Sequence, residues 1–188
     1  MSSFLYSLFC GCFGFGDKTK QQGADGEVDW EAVSAARTKV NALYQEKQSL
    51  SKASQAAYQA NDKQEAHTLS VKSKALAKTI SDVEAKCVML IVGVQRQRIC
   101  EGTIDLHGLH VVEAEIEVVK FLDLHSKRQR QQQLPSLSII TGRGNHSANH
   151  HAVVKPAVEK ILMSRRLVYS ETHLGGCYLV HIDDRARQ

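Results

Sequence analysis

Gly102-Thr-Ile-Asp-Leu-His-Gly-Leu-His110 is the stretch on which the fold of this 188-residue chain turns. Its alternation predicts a strand, because successive side chains along an extended backbone point to opposite faces. Ile104 and Leu106 then share the face that enters a core, while Asp105 and His107 stand together on the other. Gly108 ends the strand. An acid beside an imidazole at a strand end is placed for proton chemistry. Two residues alone arise readily by chance, so the weight falls on what the rest of the chain brings to them.

Downstream, residues 111–124 interleave Val111, Val112, Ala114, Ile116, Val118, Val119, Phe121 and Leu122 with Glu113, Glu115, Glu117 and Lys120. The alternation over 112–118 suits a strand, but the length, the glutamates and the lack of turn residues favour a helix. Residues 125–135 (HSKRQRQQQLP) predict a basic, glutamine-rich loop. It is either a solvated insertion or an arm whose Lys127, Arg128 and Arg130 contact phosphate. Residues 137–141 (LSIIT) predict a short buried strand, stopped by Gly142, Arg143 and Gly144. Pro156 is expected as the first residue of a helix that buries Ala157, Val158, Ile161 and Leu162. Two more strands are expected at 167–170 and 177–182, joined by a turn containing Gly175 and Gly176.

The order strand, helix, strand, helix, strand, strand gives an open mixed sheet with two helices packed on one side. A helical crossover makes the first two strands parallel, so their carboxyl ends share the edge where α/β folds bind ligands. Asp105, His107 and Gly108 thereby approach Gly142, Arg143, Gly144 and His146.

Glycines on either side of an arginine let backbone come close to a phosphate, and the guanidinium can donate two parallel hydrogen bonds to it. Phosphodiester cleavage needs a base, an acid and a cation facing the charged phosphorus. His107 and His146 suit proton transfer near neutrality, Asp105 orients an imidazole or acts as a base, and Arg143 meets the transition-state charge. With RNA the 2′-hydroxyl is an internal nucleophile, so neither metal nor cofactor is required. Metal-assisted hydrolysis is the competing chemistry, with Asp105 and some of His107, His110, His146, His150 and His151 as ligands. With one acid near the two loops, a two-magnesium site is not expected. Taken singly, each residue has a plainer role: strand-end capping for His107, turn amides for Asp105, and exposed loop positions for His110, His150 and His151.

Upstream, apolar or small residues recur at Val33, Ala36, Val40, Leu43, Leu50, Ser54 and Ala57, with Lys47 breaking the series. A second series runs Leu69, Ser73, Leu76, Ile80, Val83, Cys87, Leu90 and Val94. Both alternate three and four, the mark of a helical seam, and Asn61-Asp62 interrupts between them. An antiparallel hairpin over 29–98 is expected, with Asp29 as its first N-cap and Arg96 and Arg98 complementing the final dipole. A dimeric coiled coil is the alternative, although two seams on one chain can satisfy each other within a monomer. Lys39, Lys52, Lys63, Lys72, Lys74, Lys78 and Lys86 fall on outer faces that are either solvated or laid along a phosphate backbone.

Residues 1–28 read as an apolar tail and a polar linker. The first sixteen, MSSFLYSLFCGCFGFG, are too short to span a bilayer and lack the basic start of a secretory signal. Such a tail is either disordered or docked on its own protein, or it anchors to a membrane through acylated Cys10 and Cys12, aided by its aromatic residues, Lys18 and Lys20. Ser2 excludes N-myristoylation. The five scattered cysteines form no disulfide framework or zinc ribbon and point to a reducing, cytoplasmic setting. The net charge of +4 is too mild to declare a nucleic-acid binder by itself.

Ile104-Asp-Leu-His-Gly108 resembles the Leu-Asp-Leu-His-Gly signature of the Smr (small MutS-related) domain. Thr141-Gly-Arg-Gly-Asn-His-Ser147 is similar to that family's second motif, Lys155-Pro-Ala-Val158 to the helix that follows, and the strand after Gly175-Gly176 to the family's end. The likeness covers about residues 102–182, within a domain expected at 100–184. The helical segment resembles the domain that often precedes Smr domains in eukaryotic proteins, through Ala56-Ala-Tyr58 and Ala66-His-Thr-Leu-Ser70. The resemblance implies a two-layer α/β sandwich like the C-terminal domain of translation initiation factor three. It also implies nuclease activity on RNA or DNA, in some branches on messenger RNA at stalled ribosomes. Carried over by motif, the residues are Asp105, His107, Gly108, Gly142, Arg143 and Gly144, with His146 next; Lys155 is a further phosphate-binding candidate. Ala148-Asn-His-His151 departs from the glycines and basic residue common in the family after the His-Ser pair. The expected function is an endonuclease, preferentially on RNA and metal-independent. The alternatives are a non-catalytic RNA-, DNA- or ribosome-binding adaptor and a DNA-nicking nuclease.

Overall fold

The computed structural model describes residues 26–128, 136–142, 152–172 and 175–181. The tail with Cys10 and Cys12, and Arg130, Arg143, Gly144, His146, His150 and His151, lie outside the described residues. The chain divides into two compact units, one of residues 27–94 and one from Gln95 onward.

The first unit is a hairpin of two 30-residue helices, α1 (Trp30–Gln59) and α2 (Lys63–Val92). Asp29 caps α1, accepting the Ala32 N–H at 2.9 Å. The reversal is compact. The Asp62 N–H donates to the Ala57 carbonyl at 2.9 Å and the Asn61 N–H to Tyr58 at 3.0 Å, with Asn61 left-handed at φ 66°. That is the Schellman ending of a helix, with asparagine at the position that tolerates positive φ. Asp62 then caps α2, accepting the Glu65 N–H at 3.0 Å.

The seam that forms follows much of the expected one and adds Ala66, which lies before the start of the second series. Val33, Val40, Ala66, Ser73, Ile80 and Cys87 are buried, while Leu43, Leu50, Leu69 and Leu76 remain half-exposed. The seam is partly polar: Ser51 and Ser73 share a hydrogen bond at 3.0 Å, and Ser54 donates to the Ala66 carbonyl at 2.8 Å. Small side chains let the helices approach closely, and the hydroxyls find partners across the gap. At the odd position, Ser73 reaches the Lys47 backbone carbonyl at 3.5 Å. The Asp62 carboxylate is the side-chain acceptor for a first-turn amide of α2. Asp62→Ala is therefore expected to destabilise the chain by about 1 kcal/mol, the usual cost of a lost N-cap, as a lower urea midpoint followed by circular dichroism.

The second helix stops earlier than its pattern predicts. At Gly93 the chain passes into a 3-10 turn, Gly93–Gln95, and then into a short helix, α3 (Arg96–Cys100). Glycine is a poor helix residue and marks the break. Arg96 and Arg98 therefore belong to α3 and do not complement the end of α2.

The second unit is the expected two-layer α/β fold. Its elements are β1 (Thr103–Asp105), α4 (Val111–Arg128), β2 (Leu137–Ile140), α5 (Val154–Ser164), β3 (Val168–Thr172) and β4 (Cys177–His181). The strand order is β1-β2-β4-β3, with β1 parallel to β2 and both other pairings antiparallel. Ile104, Leu106, Leu137, Ile139, Tyr178 and Val180 are buried from the sheet; Ala114, Val118, Phe121, Leu122, Val158 and Leu162 meet them from α4 and α5. Each such large side chain contributes roughly 1.5–3 kcal/mol of transfer free energy. Ser138 and Ile140, on the other face of β2, stay partly exposed, as a sheet packed on one side requires.

Two local expectations change. Helix α4 continues through the first residues of the predicted loop, because His125 extends the 114, 118, 121, 122 stripe and is buried. Its Nε2 bonds the Ile99 carbonyl at 2.7 Å and its ring stands edge-on to Phe121. Pro156 is the third residue of α5 and not the first. The reason for tolerating it there is unchanged, since amides of the first turn have no intrahelical acceptor. Among the described residues no helix is long and apolar enough to cross a membrane.

Candidate functional site

Strand β1 is short because its role ends at Asp105. The Leu106 N–H still bonds the Ile140 carbonyl at 2.9 Å, and the chain then turns through His107 and Gly108, with Gly108 left-handed at φ 78°. Within this turn one carboxylate oxygen serves twice. Asp105 Oδ1 accepts the His107 backbone N–H at 3.0 Å and also bonds the His107 Nδ1. The first bond fixes the turn; the second fixes the ring. With Nδ1 committed to the carboxylate, Nε2 is the nitrogen left to face a substrate. Of the two roles open to Asp105, orienting the imidazole is the one the geometry provides.

Nε2 faces Gly142, at the carboxyl end of the parallel neighbour β2. A Cβ built on Gly142 lies 2.9 Å from Nε2, and Gly142 itself is left-handed at φ 72°. Glycine is needed here for both reasons. The Thr141 and Gly142 N–H groups donate to the Gly176 carbonyl at 3.0 and 3.1 Å, so the β3–β4 turn adjoins the same edge. The segment carrying Arg143, Gly144 and His146 leaves from this point in the chain, outside the described residues.

Electrostatics couples the pair. For Asp105, burial pushes the carboxyl upward, but the His107 side-chain and backbone hydrogen bonds, the His107 charge and the Arg98 charge outweigh it and hold the group low. For His107, the Asp105 hydrogen bond raises the imidazole above its ordinary value, burial opposes this, and the Asp105 charge adds to it. The raised histidine stabilises the fold fully below its unfolded value of 6.5, a contribution lost as pH rises through the folded value. The lowered aspartate stabilises it above 3.8, a contribution lost as pH falls through its folded value. Both contributions are in place between those two values.

The other predicted residues divide. Lys155, in the first turn of α5, stands at the Gly142 edge but holds Glu171 at 3.0 Å; both side chains lie 3.3 Å from a Cβ built on Gly175. Lys127 is exposed near the end of α4, which runs back toward the start of β2. It therefore sits at the opposite sheet edge from His107, and so does Arg128 by its backbone. The His110 N–H donates to Glu113 Oε2 at 2.9 Å, as a capping box does, so this residue opens α4. All seven hairpin lysines noted above are exposed.

Sequence reasoning missed Gln95, Glu171 and Gly176. Gly176 carried a turn signal and no hint of its carbonyl's role. Glu171 was reachable in principle, because antiparallel pairing of β3 with β4 brings Thr172 opposite Cys177 at this edge. Gln95 had no signal at all.

Comparison with known proteins gives two family matches along the chain. The Smr domain family matches residues 104–175, and the Domain of unknown function DUF1771 matches residues 34–93. Endonuclease NBR9 of Saccharomyces cerevisiae is 35% identical over 133 residues, 69% of this chain and 52% of that protein. NEDD4-binding protein 2 of Homo sapiens is 43% identical over 76 residues, 40% of this chain and 4% of that protein. The solution structure of the B3BP Smr domain is 38% identical, with 53% of this chain and 98% of that one covered at a TM-score of 0.45. The chain thus spans about half the length of the first relative and a small part of the second.

Proposed function

Starting from a chain that belongs to the Smr domain family, preceded by a DUF1771 segment, we propose that it is a metal-independent endonuclease acting on RNA. The observation that carries the reading is the aimed imidazole: His107, held at Nδ1 by Asp105, with Nε2 toward Gly142. This is the arrangement of a general base whose orienting partner is a carboxylate. A relative of similar sequence bears the name endonuclease, which supports the same class.

In the proposed reaction, His107 Nε2 takes the proton of the 2′-hydroxyl as the 2′-oxygen attacks the adjacent phosphorus. The P–O5′ bond breaks as the P–O2′ bond forms, and His146 returns a proton to the leaving 5′-oxygen. Arg143 neutralises charge on the phosphoryl oxygens, the lack of side chains at Gly142 and Gly144 allows close approach of the phosphate, and Lys155 adds a positive charge at the rim. The products are a 2′,3′-cyclic phosphate and a 5′-hydroxyl. We assign Lys127, Arg128 and Arg130 to a more distant stretch of the RNA backbone. The proposed setting is cytoplasmic, on messenger RNA or at the ribosome, with Cys10 and Cys12 as lipidation candidates that would tether the chain to a membrane.

The 188-residue chain incubated with labelled single-stranded RNA in excess EDTA is expected to cut it, leaving cyclic-phosphate ends. DNA of the same sequence is expected to stay intact. Binding without cutting would favour an adaptor, cutting abolished by EDTA a metal-assisted hydrolysis, and cutting of the DNA a nickase.

A further inference from the structure

Strand β1 is an edge strand, with a neighbour on one side only. In a parallel ladder successive residues direct their N–H and C=O groups alternately to the two sides. The Leu106 N–H bonds β2 through Ile140, so the N–H and C=O of Asp105 point outward from the sheet. They do not meet solvent. The Gln95 side chain receives the Asp105 N–H on its Oε1 at 2.8 Å and donates from Nε2 to the Asp105 carbonyl at 2.9 Å. Gln95 is 5% exposed, so the two bonds are sheltered from competing water. One primary amide thereby does what an additional strand residue would do, at the single position of β1 that carries the carboxylate.

We infer that Gln95 is a positioning residue of the candidate site: it fixes the Asp105 backbone at the sheet's open edge and, through Asp105, the aim of the His107 imidazole. Asp105 Oδ1 carries both bonds to His107, so any movement of the Asp105 backbone reaches the ring directly. Nε2 has little tolerance for such movement, being packed against Gly142. Among the described residues, the charged groups acting on the pair are Asp105 itself and Arg98 on α3, and a neutral substitution at Gln95 removes neither charge.

The catalytic arm of the test rests on the endonuclease reading; the titration arm does not. His107 is titrated by NMR in the full chain, alongside single-turnover cleavage of a labelled single-stranded RNA, RNA affinity and thermal melting. Gln95→Met, of similar length but without the amide, is expected to bring the His107 midpoint down toward 6.5. It should slow cleavage about tenfold, the scale of a small misplacement of a reacting group, with RNA affinity within about twofold. Gln95→Asn keeps an uncharged amide on a stem one methylene shorter and should show smaller changes of the same sign. Gln97→Met, which removes only the amide that meets Glu101 at 3.0 Å, should change neither quantity. A folded Gln95→Met that titrates like wild type overturns the inference, even if its melting temperature falls. If Gln95→Met does not fold, Gln95→Asn decides by the same titration. Wild-type protein that fails to cut RNA removes the endonuclease reading and leaves the titration to decide Gln95.

Discussion

Replacing His107 by alanine is expected to slow RNA cleavage by about 10²–10⁴-fold, the range contributed by a positioned proton-transfer group. RNA affinity should change little, because the groups proposed to hold phosphate, Arg143 and Lys155, remain in place. The fold should also survive, since the His107 side chain is 53% exposed. The pH profile gives the substitution its specific signature. His107 must be neutral to accept a proton, and Asp105 holds its value above the ordinary 6.5. The wild-type rate is therefore expected to rise with pH to a midpoint above 6.5, and that limb should disappear in His107→Ala. Asp105→Asn should move the same limb to lower pH while also reducing the plateau. Without the carboxylate, the imidazolium loses its strongest stabilising bond and the ring loses its fixed aim. Single-turnover cleavage from about pH 5 to 9 checks both; a limb unmoved in Asp105→Asn would show that the pair does not act as a unit.

Much of the fold was legible because burial leaves a periodic trace. The seams at Val33, Val40, Ile80 and Cys87, and the alternation at Ile104 and Leu106, are directly visible as spacing. The failures came where composition disguised a position's role. His125 looks like the first residue of a basic loop, yet in space it is one more residue of the α4 stripe, with a carbonyl at 2.7 Å to satisfy its ring. A polar residue name carried more weight there than the period did. Gly93 was the opposite case. Its series ran on smoothly through Val94, and the helix stopped regardless because one residue without a side chain weakened it.

For the candidate site, the crossover argument brought the ends of β1 and β2 to one edge, which is where the register Asp105 to Ile140 puts them. The same argument, applied to α4, would have placed Lys127 at the opposite edge; the direction of a helix after a strand is readable from topology alone. Backbone partnerships are different. That the Gly176 carbonyl receives two amides, or that Gln95 closes the edge beside Asp105, depends on three-dimensional adjacency between residues with ordinary sequence surroundings. Val-Gln-Arg-Gln-Arg offers nothing to separate Gln95, buried on a strand edge, from Gln97, exposed and bonded to Glu101.

Gly142→Ala should cost more in activity than in stability, which separates it from an ordinary glycine substitution. The backbone at φ 72° lies where an L-residue is disfavoured, at roughly 1–2 kcal/mol. The added methyl carbon would then stand 2.9 Å from His107 Nε2, closer than a Cβ can remain. Nε2 is the far end of a rotatable side chain, so the ring can swing away and the fold need not break. The swing is the damage. It draws the ring off the Asp105 carboxylate and removes Nε2 from the place where the proton must be taken. A displacement of about 1 Å is enough for a loss on the order of 10²-fold. Cleavage by Gly142→Ala is accordingly expected to fall at least that far, with a melting temperature a few degrees below wild type, about what 1–2 kcal/mol brings in a domain of this size. NMR of His107 should show its titration returning toward 6.5 as the Asp105 bond weakens. A variant that melts early but cuts at the wild-type rate would mean that the ring facing Gly142 is not the ring that moves the proton.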